Sequence, residues 1–360
     1  MAITFKTLPK GSTIGSGSYI FRHYGNEVIP DYLCFTAEEA GSTVAMDAYG
    51  TPTQGQMFEY STNGTNWSEF IPETTTITLA NVGNKVYFRG DNTTVSESDS
   101  IYYKFVMSGK IAASGNIMSL LDKTCQSTTI SNAYCYLNMF QNCTSLTTAP
   151  ALPATTLANN CYYYMFNNCT SLTTAPALPA TVMANYCYSS MFQNCTSLTT
   201  APALPATTLA NNCYLYMFNG CTSLTTAPAL PATVMANNCY LNMFQNCTSL
   251  TTAPALPATT LASGCYNGMF YNCANLTTAP ALPATTLASS CYGYMFSGCT
   301  SLQVYSSSGT GHTKTWRIPT SGSASSYTSQ KKMFYKCPGS YGTTTSVSLN
   351  RTFYTQNTPV

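Results

Sequence analysis

The sequence predicts a mostly β chain with short helices, in which a small N-terminal β-sandwich is followed by a solenoid of 26-residue repeats. Three observations predict it. Met-Phe pairs begin at Met139, Met165, Met191, Met217, Met243, Met269 and Met295, always 26 residues apart, with a degenerate eighth at Met333. The segment before them breaks into short β-type runs separated by turn residues. Only 7% of residues are charged, yet 44% are hydrophobic, so the chain has ample surface to bury and reads as folded, not disordered.

Residues 1–30 read as an N-terminal arm. From 31 to 110, "YLCFT", "STVAM", "MFEYS", "TITLA", "KVYFRG" and "YYKFVM" are short strand-like runs. Asn63-Gly64, between "MFEYST" and "TNWSEF", is a strong hairpin turn signal. Together they suggest the β-sandwich.

The repeat region extends over 111–302. A fixed period of this length means that each unit buries its apolar face against its neighbours. Twenty-six residues are too few for a propeller blade but suit a short strand with one or two helical turns, wound as a right-handed solenoid. At 100° per residue, Cys161, Met165, Cys169, Tyr162 and Phe166 fall on one arc of about 140°. Those positions barely vary between repeats. Tyr163, Tyr164 and Asn167 fall on the other side, where the repeats do vary. Cys161, Met165, Phe166, Cys169 and Leu172 are therefore assigned to a core ladder. In "LTTAPALPA", Pro176 and Pro179 lack an amide donor, so a strand is limited to about Leu172–Thr174. Stacked repeats would pair these strands in parallel about 4.8 Å apart, as a narrow concave sheet. Residues 303–360 read as a polar insertion and a C-terminal cap around "MFYKC".

Repeats such as "LTTAPALPATTLANNCYYYMFNNCTS" resemble the BspA-like leucine-rich repeats of bacterial surface and phage-encoded proteins. Phe166, Cys169, Thr170, Ser171 and Leu172 carry the resemblance, which covers roughly 119 to 337. The repeats are longer than the usual 23 or so residues, and Met165 stands where Ala is typical. The resemblance implies a leucine-rich-repeat solenoid and a role in adhesion or host-surface binding.

Little in the chain suggests catalysis or a cofactor. The paired cysteines, such as Cys161 and Cys169, lack the short spacing and His partner of a zinc site. Disulfides between repeats are conceivable, but parallel rows seldom aim two thiols at one another. Small apolar core residues remain the expected reading. His312 has no nearby acid. Glu38, Glu39, Glu59, Glu69 and Glu73 are the candidate carboxylates for a glycosidase, and they read as scattered surface charges.

Charge is distributed in blocks. Between Lys123 and Lys314 nothing ionises except Cys, Tyr and His312, while Lys314, Arg317, Lys331, Lys332, Lys336 and Arg351 follow without an acid. The basic end reads as a solvated cap and not as a nucleic-acid site. The variable face shows Tyr163, Tyr164 and Asn167, then Ser189, Ser190 and Gln193, then Leu215, Tyr216 and Asn219. This is a composition found on many binding surfaces.

The opening "MAITFKTLPKGSTIGSGSYIF" shows no apolar signal region, and no run is long enough to span a membrane. An export-like surface without that signal suggests a bacteriophage virion protein, such as a head or tail fibre or decoration subunit. Assembled in the cytoplasm in several copies, it would attach to other virion proteins through its N-terminal region and bind host-surface or mucus glycans. A bacterial cell-surface adhesin is the first alternative and a polysaccharide-degrading enzyme the second.

Overall fold

The computed structural model describes residues 22–24, 27–53, 55–311, 314–317, 321–322, 331–343 and 352–355. Arg22–Tyr24 (β1) and Glu27–Ile29 (β2) form an antiparallel pair. The rest of the expected arm, residues 1–21, lies outside the described residues.

The runs read as strands form Leu33–Ala37 (β3), Ser42–Tyr49 (β4), Phe58–Ser61 (β5), Ile77–Leu79 (β7), Lys85–Gly90 (β8) and Tyr102–Ser108 (β9). Ser68–Phe70 (β6) and Ile111–Ser114 (β10) complete this part. One sheet runs β10-β3-β8-β5-β6 and another β7-β4-β9. Alternation turns Val44 and Met46 of β4, and Val86 and Phe88 of β8, into the core. Rings join the two sheets: Phe105 meets Phe35 edge-on at 4.9 Å and Phe88 at 5.2 Å. Asn63-Gly64 forms the tip between β5 and β6, with Gly64 at φ 79° and the Asn63 side chain accepting from the Thr65 and Asn66 amides.

The first sheet does not stop at β10. Leu146–Thr148 (β11), inside the first repeat, pairs in parallel with β10. Phe105 stacks on Phe140 at 5.4 Å, its amide donates to the Met139 carbonyl at 2.8 Å, and its own carbonyl accepts the Cys143 thiol. Strand β9 thus takes the place of a preceding repeat and covers the first one.

The helical half of each repeat is corrected by the structure. Among the described residues the one helix is a 3-10 turn, Ile117–Leu120, and the Cys-Tyr-x-x-Met-Phe segments contain none. They form a ladder of turns with a period of four. In the repeat around Cys161, positive φ occurs at Asn160, Tyr164 and Asn168, and the other repeats place it at the equivalent positions. Amides then divide by parity. Those of Tyr163, Met165 and Asn167 bond three residues back, to Asn160, Tyr162 and Tyr164. Those of Tyr162, Tyr164, Phe166 and Asn168 donate instead to Cys187, Ser189, Met191 and Gln193 in the next repeat, at 2.8 to 3.1 Å. A helix would satisfy its amides internally, whereas this backbone spends every second one on its neighbour. Four and 3.6 differ too little over nine residues for burial alone to separate them. Cys161, Tyr162, Met165, Phe166, Cys169 and Leu172 are all 0% exposed.

The strand half is also shorter than expected. Past β11 the threonines pair singly, Thr148 with Thr174, then Thr200, Thr226, Thr252 and Thr278, as parallel bridges one residue long. The prolines that follow end the pairing because they offer no amide.

Packing between repeats is columnar. Phe140, Phe166, Phe192, Phe218, Phe244, Phe270, Phe296 and Phe334 stack nearly parallel at 5.2 to 5.8 Å. A tyrosine column from Tyr136 to Tyr292 runs beside it at 5.6 to 6.0 Å. The second cysteine of each unit donates its thiol to the phenylalanine carbonyl one repeat back, as Cys195 does to Phe166 at 3.1 Å. That carbonyl also accepts the Cys169 amide, so both of its lone pairs are used.

At the far end Thr286–Leu287 (β12), Val304–Tyr305 (β13), Lys314–Arg317 (β14), Ser321–Gly322 (β15) and Thr352–Thr355 (β16) pair as β12-β15 and β13-β16-β14. Phe353 of β16 and Tyr341 lie against Phe334, closing the phenylalanine column.

All seventeen cysteines are buried, and none is joined to another in a disulfide. Burial pushes the thiols of Cys143, Cys273 and Cys337 up to about 12. The fold favours the neutral thiol, so this contribution is complete below the ordinary thiol value of 9.0 and is lost as pH climbs from there toward 12. Native protein at pH 8 is therefore expected to resist iodoacetamide and to take up label on every cysteine once unfolded. Urea stability should fall above pH 9 by about 1.4 kcal/mol per pH unit for each column thiol. Labelling of the native state, or a flat profile from pH 8 to 10, would contradict the buried ladder.

Candidate binding surfaces

Two faces of the repeats reach solvent, and the turn ladder builds the first. A left-handed residue recurs every fourth position, a conformation that suits Asn or Gly and strains other side chains. In the seven full repeats the third position obeys this: Asn142, Asn168, Asn194, Gly220, Asn246, Asn272 and Gly298, whereas the degenerate eighth unit holds Lys336 there. Their side chains also link the repeats, with the Asn168 amide nitrogen 2.8 Å from the Asn142 oxygen and the Asn194 nitrogen 2.8 Å from the Asn168 oxygen. The first and second positions depart from the rule. Tyr134, Tyr164, Tyr186, Tyr216 and Tyr294 all hold φ between 55° and 63°, at a cost of about 1–2 kcal/mol each. Asn160, Asn212, Asn138 and Asn242 fill the same columns elsewhere.

Two of these rings gather around Tyr163. Tyr163 lies 4.2 Å from Tyr164 and 6.0 Å from Tyr186, centre to centre. Burial, a hydrogen bond with Tyr164, and the neighbouring Tyr186 and Tyr134 phenols push the Tyr163 phenol above its ordinary range.

The expected variable face is only partly outward. Tyr163, Tyr164, Gln193, Leu215 and Tyr216 are half-buried. Ser189 and Ser190 are 0% and 1% exposed, Asn167 6% and Asn219 8%. The reason is the four-residue period together with side-chain size. Ser189 and Ser190 sit between Tyr163-Tyr164 and Leu215-Tyr216, to which their backbones are bonded, and the larger residues cover them. The Asn167 amide is turned inward along the stack, toward Gln193.

The second face carries the threonines and prolines. Thr174, Thr200, Thr226 and Thr252 are exposed in register, with Ala177, Ala203 and Ala229 beside them. Val182 and Val234, one two-repeat interval apart, are each 58% exposed. A shallow groove of about 380 Å³ crosses this face between Pro205 and Pro231.

Outside the repeats, a cavity of about 430 Å³ opens among Asp31, Tyr32, Asn63, Lys85, Tyr87 and Ser114. Arg89 lies 4.0 Å over the Trp67 ring and bonds Glu59 at 2.6 Å. Burial disfavours the Glu59 carboxylate, but the hydrogen bonds from Arg89 and Lys123 outweigh it and hold its pKa below the ordinary value. Glu69 faces Glu59 across β5 and β6, and Glu38 bonds Thr147. Glu39 and Glu73 are exposed. His312 and Arg351 lie outside the described residues. Lys332 and Lys336 flank the Tyr335 ring at 5.1 and 5.8 Å.

With this geometry in hand, comparison with known families is decisive on one point. The family model described as "BspA type Leucine rich repeat region" matches residues 124–251 and 216–314, in six copies. The chain belongs to that family. BspA-type repeats suggest a surface or adhesion protein, and no helix among the described residues is long and apolar enough to cross a membrane. No curated protein and no solved structure matches the chain.

The left-handed backbone of the tyrosines in these BspA-type repeats escaped the sequence reading. The signal was present in the Asn and Gly that recur at the positions of Asn160, Tyr164 and Asn168, four apart, since that pair of residues marks positive φ. Asn168→Ala is expected to lose about 1–2 kcal/mol of urea stability, because it removes the polar side chain that eases a left-handed position and breaks the side-chain ladder. Asn168→Gly should lose about half of that or less. Equal losses would show that backbone conformation does not select this column.

Proposed function

We propose that the chain is a bacteriophage virion protein whose repeats form a solenoid and bind a neutral, carbohydrate-rich surface through many weak contacts. In this reading residues 31–110 are a small β-sandwich that attaches the protein to the particle, and several copies act together. The observation that carries it is the charge-free interval between Lys123 and Lys314. It leaves Tyr, Thr, Asn and Ser as the recognition groups and removes electrostatic steering. A bacterial cell-surface adhesin is the second reading, favoured by membership of the BspA-type family. Peptide mass spectrometry of purified particles and of cell envelopes separates the two.

Multivalent contact makes affinity depend on repeat number and not on salt. Removing residues 187–238, two whole repeats, keeps the 26-residue register and is expected to weaken binding to the responding glycan by roughly tenfold or more. Raising salt from about 0.05 to 0.3 M should change binding less than about twofold. Strong loss in salt would place recognition at the charged ends instead.

A further inference from the structure

We infer that Tyr163, Tyr164 and Tyr186 form an aromatic platform on the turn face that stacks against the apolar face of a sugar ring in a neutral glycan. The inference rests on the glycan-binding reading above and adds where on the stack the contact is made.

Three observations lead there. Tyr164 and Tyr186 occupy left-handed backbone positions that Asn fills in neighbouring repeats. Asn is the easier residue there, so the tyrosines are held against local preference, a pattern that points to function. The Tyr164 and Tyr186 rings gather at Tyr163, 4.2 Å and 6.0 Å from it, while all three remain half-buried with part of their surface in solvent. Donors lie in the flanking columns. Asn159 and Asn185 are exposed, and the oxygen of each accepts a backbone amide from the next repeat, at Asn185 and Asn211. The side-chain NH2 is then the group that each presents outward. Flat rings beside amide donors, on repeats whose own sequence carries no Asp, Glu, Lys or Arg, fit a neutral sugar. Its C–H face packs on the rings and its hydroxyls accept from the amides.

The test uses the full chain with the substitutions Tyr164→Asn and Tyr186→Asn together, and Tyr216→Asn as a comparison. Tyr216 has the same backbone conformation but lies outside the cluster. Binding is read by affinity electrophoresis through hydroxyethylcellulose, dextran and mannan, and stability by thermal unfolding. The wild-type chain is expected to be retarded by at least one of these polymers. The double variant should keep or raise Tm and bind roughly tenfold more weakly or worse, the size of an interface hot-spot loss. Tyr216→Asn should change binding less than about threefold. A clear fall in Tm for the double variant would make the tyrosines packing residues and overturn the platform. Unchanged binding, with removal of 187–238 still weakening it, would overturn the platform and leave the glycan reading standing. Failure of the wild-type chain to bind any of the three would overturn both. Loss of self-association in sedimentation without loss of glycan binding would assign the rings to contact between copies.

Discussion

A backbone that turns every four residues and gives every second amide to the next repeat is the constraint on which the rest of this structure depends. Each turn must return the chain through a left-handed residue, so three positions per repeat favour Asn or Gly. Each donated amide fixes the spacing between repeats, and that spacing brings Phe166 onto Phe192 and Tyr162 onto Tyr188 as parallel stacks. The cysteines follow from the same geometry. Only a small, weakly polar side chain fits the buried corner beside the phenylalanine carbonyl, and the thiol supplies a donor without the desolvation cost of a hydroxyl.

A stack of this kind exposes unpaired groups at its ends, and the chain closes both. Strand β9 presents Phe105 to Phe140 as if it were one more repeat, and β10 extends the sheet onto β11. At the other end Tyr341 and Phe353 cover Phe334. The N-terminal sheets thus stabilise the repeats, with which they share one continuous core. Removing them would expose the first turn ladder, so any attachment role is better probed by surface substitutions than by truncation. The lateral faces stay open to solvent, and between Lys123 and Lys314 the chain gives them no Asp, Glu, Lys or Arg.

Much of this was legible in the sequence. The 26-residue period, the family and the strands β3, β4, β5, β7, β8 and β9 could all be read there. So could the inward set Cys161, Met165, Phe166, Cys169 and Leu172, because invariance within one chain marks the core. The local conformation was not legible from that set. Residues at 0, 1, 4, 5 and 8 lie on one side of a helix and also on one side of a four-residue turn ladder, so side-chain pattern alone admits both. The Asn and Gly columns at Asn160 and Asn168 distinguish them, since a helix has no recurring need for positive φ. The buried state of Ser189 and Ser190 was equally hidden. It depends on the size of Tyr164 and Tyr216 in adjacent repeats, a relation between units that a single unit does not contain.

The most direct test of the ladder is a hydrogen-bond scalar coupling measured by NMR on deuterated, isotope-labelled protein. The nitrogen of Phe166 is predicted to couple to the carbonyl carbon of Met191, to which its amide donates at 2.9 Å, and the nitrogen of Met165 to the carbonyl carbon of Tyr162. Coupling from the Phe166 nitrogen to the Tyr162 carbonyl carbon, four residues back, would mean that the repeats are helical and would contradict the account.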